Sequence, residues 1–88
     1  MDKGANMIKD NNKKYDFFKS YAKNKGIRVE ERANFFVCYS QSGKYFVAVY
    51  KDRIDNLFYY RTISYLINDI EFELMKKDRG EYNEERVY

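Results

Sequence analysis

Apolar residues recur along this chain with two different periods, and the change of period divides it into elements. Tyr15, Phe18, Tyr21 and Ala22 fall three and four apart, which is one face of a helix; lysines 13, 14, 19, 23 and 25 fill the rest of the turn. The spacing predicts a helix over 13–25, capped by Asn11 or Asn12 and ended by Gly26. A second helical period starts at Thr62, a candidate cap. Ile63, Leu66, Ile67, Ile70 and Leu74 form its stripe, with Asn68, Asp69, Glu71 and Glu73 off it. Lys76 and Lys77 suit the negative end of its dipole, and Gly80 stops it.

Between the helices the pattern reads as sheet. Residues 27–33 alternate weakly, with Ile27 and Val29 toward a core and Arg28, Glu30 and Arg32 toward water. Phe35-Phe36-Val37-Cys38-Tyr39 and Lys44-Tyr45-Phe46-Val47-Ala48-Val49-Tyr50 flank the turn Ser40-Gln41-Ser42-Gly43, and together they predict an antiparallel hairpin. A register symmetric about that turn pairs Tyr39 with Tyr45, Val37 with Val47 and Phe35 with Val49. The opposite face then carries Phe36, Cys38, Phe46, Ala48 and Tyr50. Lys51 to Asn56 is polar and turn-like. Leu57 to Arg61 reads either as a third strand or as the lead into the second helix.

These elements predict an α+β fold in the order α-β-β-β-α: a small antiparallel sheet of two to three strands, flanked by an N-terminal and a C-terminal helix. The expected boundaries are a flexible leader over 1–11, one domain over 12–79 and a polar tail over 80–88. Both helices are expected on the face bearing Val37, Val47 and Val49. An antiparallel sheet with one solvated face should alternate apolar with polar residues, but this hairpin is apolar on both. The Phe36, Cys38, Phe46 and Tyr50 face is therefore expected to stay half open and to be covered by a second molecule.

Composition then narrows the function. There is no His, so the residue most used for acid–base work near neutral pH is missing, and with it every nucleophile–His pair. The four glycines are isolated, so there is no glycine-rich phosphate loop. Asp52 with Asp55 and Glu71 with Glu73 are close carboxylates, but two at such spacing usually form a solvated face. Cys38, the single cysteine, lies in an apolar strand; it allows no internal disulfide and suits a reducing compartment. No apolar run reaches the ~20 residues of a membrane span, and the first residues lack the apolar stretch of a secretory signal. The expectation is a cytoplasmic binding protein without catalytic residues, metal or cofactor.

Two kinds of partner fit. Ten Tyr and seven Phe, with no Trp, suit a protein interface. Phe36, Phe46 and Tyr50 on the open face, with Tyr59, Tyr60 and Arg61 near its edge, are the candidate contacts, met by another protein or by a second copy of the chain. The alternative is DNA or RNA. Residues 1–28 hold eight basic and three acidic side chains, whereas residues 62–88 hold four and seven. The basic helix, through Lys13, Lys14, Lys19, Lys23 and Lys25, is then the candidate phosphate contact. Over about residues 13–77 the order of elements resembles that of double-stranded-RNA-binding domains. Those domains carry a basic cluster at the start of their last helix, where this chain has Thr62-Ile63-Ser64-Tyr65. The short chain, rich in Tyr, Asn, Lys and Ile as AT-rich genomes encode, is also similar to small early proteins of bacteriophages and mobile elements, anti-CRISPR proteins among them. That resemblance implies a stoichiometric inhibitor that occludes a surface of a larger nucleic-acid-handling enzyme.

Overall fold

The structure, a computed structural model, describes residues 7–81. Its elements are α1 (Asn11–Asn24), β1 (Arg28–Glu31), β2 (Phe35–Tyr39), β3 (Phe46–Tyr50), α2 (Lys51–Asp55) and α3 (Tyr60–Asp78). The strands form one antiparallel sheet in the order β1-β2-β3. The expected α+β plan is present, with one strand moved. The third strand is the weakly alternating segment at Arg28–Glu31 and not 57–61. Lys51–Asp55, expected as a turn, is helical, because Ile54 can then reach the core, where it is fully buried.

α1 is capped one residue earlier than expected: the Asp10 side chain accepts from the Asn12 amide at 2.9 Å. It ends at Gly26, whose φ of +80° lets Ile27 N–H return to Ala22 O at 3.0 Å. Three residues before α1, Ile8 is buried in the core and its N–H donates to Phe58 O. The described end of the expected leader, residues 7–10, is thus tied to the domain, while residues 1–6 lie outside the described residues, as does most of the expected tail. α3 starts at Tyr60, before Thr62, whose hydroxyl donates back to Tyr59 O at 2.8 Å.

The helices share one side of the sheet. Phe18 and Ala22 of α1, Ile54 of α2 and Ile63, Leu66, Ile67, Ile70 and Leu74 of α3 form a single cluster with Phe36, Cys38, Val47 and Val49. Each of these larger side chains contributes about 1.5–3 kcal/mol by leaving water. The ring of Phe36 meets Phe18 at 5.0 Å and the edge of Tyr15 at 5.7 Å.

This cluster corrects the expected faces. The hairpin pairs Tyr39 with Phe46, Val37 with Ala48 and Phe35 with Tyr50, one residue away from the symmetric register. The cause is the turn. Ser40 N–H bonds Tyr45 O at 2.9 Å, and Gly43, at φ +77°, lets the loop close on Ser40 O. A slip of one residue turns every side chain of one strand over relative to the other. Phe36 and Cys38 therefore point into the core with Val47 and Val49, while Val37 is on the opposite face.

Candidate functional site

The outer face of the sheet is built from alternate residues of all three strands: Arg28 and Glu30 of β1, Phe35, Val37 and Tyr39 of β2, and Phe46, Ala48 and Tyr50 of β3. Its two halves differ. On the β1 side the residues engage one another. Tyr39 OH donates to Glu30 Oε1 at 2.5 Å, Arg32 Nη2 to the same oxygen at 3.2 Å, and the Arg28 guanidinium sits 4.2 Å from the Tyr39 ring centre. The hydrogen bond from Tyr39, then the nearby arginines, hold the Glu30 carboxyl below the usual carboxylate range; the same bond pushes the Tyr39 hydroxyl up. On the β3 side the face is aromatic and open. Phe46 is 55% exposed and Tyr50 51%, each touching a β2 ring only at a distance: Tyr39 at 6.4 Å, Phe35 at 6.2 Å.

β3 is also a free edge. Lys51 N–H donates to Asn34 O and Ser40 N–H to Tyr45 O, which makes 34/51 and 40/45 hydrogen-bonded pairs. The alternation of an antiparallel ladder then directs the backbone groups of Val47 and Val49 to β2, and those of Phe46, Ala48 and Tyr50 outward. Among the described residues no backbone hydrogen bond outside the helices reaches that outer row, and of its groups only Tyr50 O is used, as the N-cap carbonyl of α2. Edge strands are ordinarily guarded by charge, proline or a bulge. Phe46-Val47-Ala48-Val49-Tyr50 has none of these within it. The other edge, β1, carries Glu31, bridged to Lys19 at 2.9 Å and Lys51 at 2.8 Å.

The expected protein contacts are thus divided. Phe46 and Tyr50 lie on the outer face. Phe36 does not: at 0% exposure it can touch no partner. Tyr59, Tyr60 and Arg61 open α3 in the helical layer, away from the outer face; the Tyr60 ring stacks edge-on against Phe17 of α1 at 4.7 Å.

The lysines expected to meet phosphate are largely used within the fold. Lys14 is buried, donates to Asp55 O at the end of α2 at 2.7 Å, and lies 4.2 Å from the Phe58 ring centre. It follows the stripe of Phe18 and Ala22 at i, i+4 and i+8, a signal present in the sequence. Lys19 pairs with Glu31, and Lys25 reaches Glu71 at 3.7 Å. Lys13 and Lys23 are exposed.

A second apolar surface escaped the sequence reading. Tyr65, Phe72 and Met75 are half or more exposed along the solvent side of α3, spaced seven and three apart. Asn68 interrupts this stripe, Asp69 and Lys76 flank it, and Lys76 Nζ sits 5.3 Å from the Phe72 ring centre.

Among the described residues no constellation for catalysis stands out. A cavity of about 310 Å³ opens between Ile27, Tyr39, Gln41, Leu74 and Met75, and the charged groups at its rim are paired: Lys25 with Glu71, Arg79 with Glu81, and Asp78 with the Ser42 hydroxyl at 2.5 Å. Burial pushes the Cys38 thiol up to about 12, which suppresses the reactive thiolate. Among the described residues no three His, Cys, Asp or Glu side chains group to hold a metal, and no helix is long and apolar enough to cross a membrane. No protein-family model matches the chain, and comparison with curated proteins and with solved structures gives no match.

Proposed function

We propose that this chain is a non-enzymatic protein-binding module that docks its partner on the outer face of the sheet, with Phe46 and Tyr50 as anchors. The observation that carries this reading is the uncovered face itself. All three helices pack on the other side, and two large aromatics stand half exposed on the edge strand. Buried aromatic anchors supply most hot-spot energy in interfaces, about 2 kcal/mol or more each. The engaged β1 side, with Arg28, Glu30 and Tyr39 held in place, forms the polar rim such interfaces need. The nucleic-acid alternative is the weaker reading, because three of its five lysines are committed within the fold.

The form of the module rests on composition: a cytoplasmic inhibitor of the phage or mobile-element kind, anti-CRISPR or other anti-defence, occluding a surface of a nucleic-acid-handling host protein. The test is affinity capture from host lysate, with and without nuclease, using the native chain and Phe46→Asp. The expected result is a protein captured in a nuclease-resistant complex and lost with Phe46→Asp, while the variant keeps its circular dichroism. Capture that vanishes on nuclease treatment, or that Phe46→Asp leaves unchanged, overturns the proposal.

A further inference from the structure

We infer that two copies of this chain pair antiparallel through their β3 edges about a two-fold axis at Ala48, forming a six-stranded sheet whose joined outer face is the docking surface. The inference rests on the outer-face reading above and names what completes that face.

The edge is self-complementary. Phe46, Ala48 and Tyr50 carry the outward backbone row, and Ala48 is its centre. A two-fold axis there sets Ala48 opposite Ala48 and Phe46 opposite Tyr50 of the second copy. Ala48 exchanges two backbone bonds with its counterpart and each Tyr50 N–H donates to Phe46 O of the other copy, about four bonds in total, because Tyr50 O already serves as the N-cap carbonyl of α2. The axis also sets an aromatic pair on the outer face at each end, a favourable cross-strand combination. The β1 edge offers no such match, because its outward residues, Val29 and Glu31, are respectively packed on the core and bridged to two lysines.

Area gives the pairing its role. Three strands of about five residues cover about 240 Å² in projection, well under the ~800 Å² that each partner contributes to a standard interface. Two copies joined at β3 double this to about 480 Å² and turn two small aromatic patches into one continuous surface. Each copy thereby supplies half of the site.

The test is sedimentation equilibrium of the native chain and of Ala48→Pro up to about 1 mM, the range in which weak association is measurable. The native chain is expected to approach twice its 10.8 kDa mass. In Ala48→Pro the ring replaces an N–H that faces away from β2, so the hairpin keeps its own ladder. The dissociation constant should rise at least about tenfold, the effect of losing ~1.4 kcal/mol of pairing. Register is tested separately by thiol cross-linking with a reagent spanning a few ångströms. Ala48→Cys should link to its counterpart, about 5.5 Å away between Cα atoms. Tyr50→Cys, roughly 14 Å from its own counterpart, should not. If Ala48→Pro fails to fold, the cross-linking pair alone decides. A native chain that stays monomeric, or Tyr50→Cys linking as readily as Ala48→Cys, overturns the inference. A monomer that still captures protein through Phe46 refutes the pairing while leaving the docking reading intact.

Discussion

The sharpest prediction compares two phenylalanines on paired strands that the hairpin register separates. Phe36→Ala removes a ring with no exposure, packed on Phe18 and Tyr15. The loss combines about 1.5–3 kcal/mol of burial with an unfilled cavity and two aromatic contacts, and should total about 3–5 kcal/mol. Phe46→Ala removes a ring that is already 55% exposed and has one distant aromatic neighbour. Its cost should be within about 1 kcal/mol. A domain of this size is stable by about 4–13 kcal/mol, so the first change takes away much of the total and the second little. Urea unfolding followed by circular dichroism measures both. With a slope of about 1–1.5 kcal/mol per molar, Phe36→Ala should lower the midpoint by about 2–5 M and Phe46→Ala by less than about 1 M. Equal losses, or a larger loss for Phe46→Ala, would mean that β2 and β3 present the opposite faces, and the docking surface would disappear with that reversal.

Three further outcomes test buried groups and one surface ion-pair cluster. Lys14→Met keeps the buried stem but strands Asp55 O, and should cost about 1–3 kcal/mol; Lys14→Ala adds a cavity and should cost more. Native stability in the same urea experiment would show Lys14 to be a solvated lysine. Hydrogen bonds from Lys51 and Lys19 hold the Glu31 carboxyl below the usual range. Its contribution is therefore complete above the unfolded value of about 4.3 and is lost as pH falls through the lower folded value, so Glu31→Gln should flatten the acid-side decline in urea midpoint. A decline as steep as that of the native chain would remove Glu31 from the account. Cys38, buried and with its thiol pushed up to about 12, should resist thiol reagents at neutral pH until urea unfolds the chain; rapid labelling of the folded chain would contradict its burial.

How much of this was legible in the sequence varies with the kind of signal. The α3 stripe from Ile63 to Leu74 was fully readable, because a 3.6-residue period has one consistent solution. The hairpin was readable as an object but not in its register. Both of its faces are apolar, so alternation could not choose between them, and the choice was made by the Ser40–Tyr45 closure and the positive φ of Gly43. α2 is five residues long with one buried side chain, too short for any period to show. The charge of Lys14 marks a surface position, whereas its spacing with Phe18 and Ala22 places it inside. The aromatic side of α3 is masked in the sequence because Asp69, Glu71 and Glu73 lie between its members and give the pattern of a solvated face. The site was legible in part: Phe46 and Tyr50 are exposed, while Phe36 is not.

The tight loop between β2 and β3 also constrains how this chain can drift. Parity decides which way each residue of β3 looks, so an insertion or deletion of a single residue among 41–44 would swing Val47 and Val49 out to solvent and drive Phe46, Ala48 and Tyr50 into the interior. Changes of two residues would preserve the alternation. Descendants of this chain should therefore vary that loop in even steps, and a homologue with an odd-length loop should show small aliphatic and large aromatic side chains exchanged along the strand that follows.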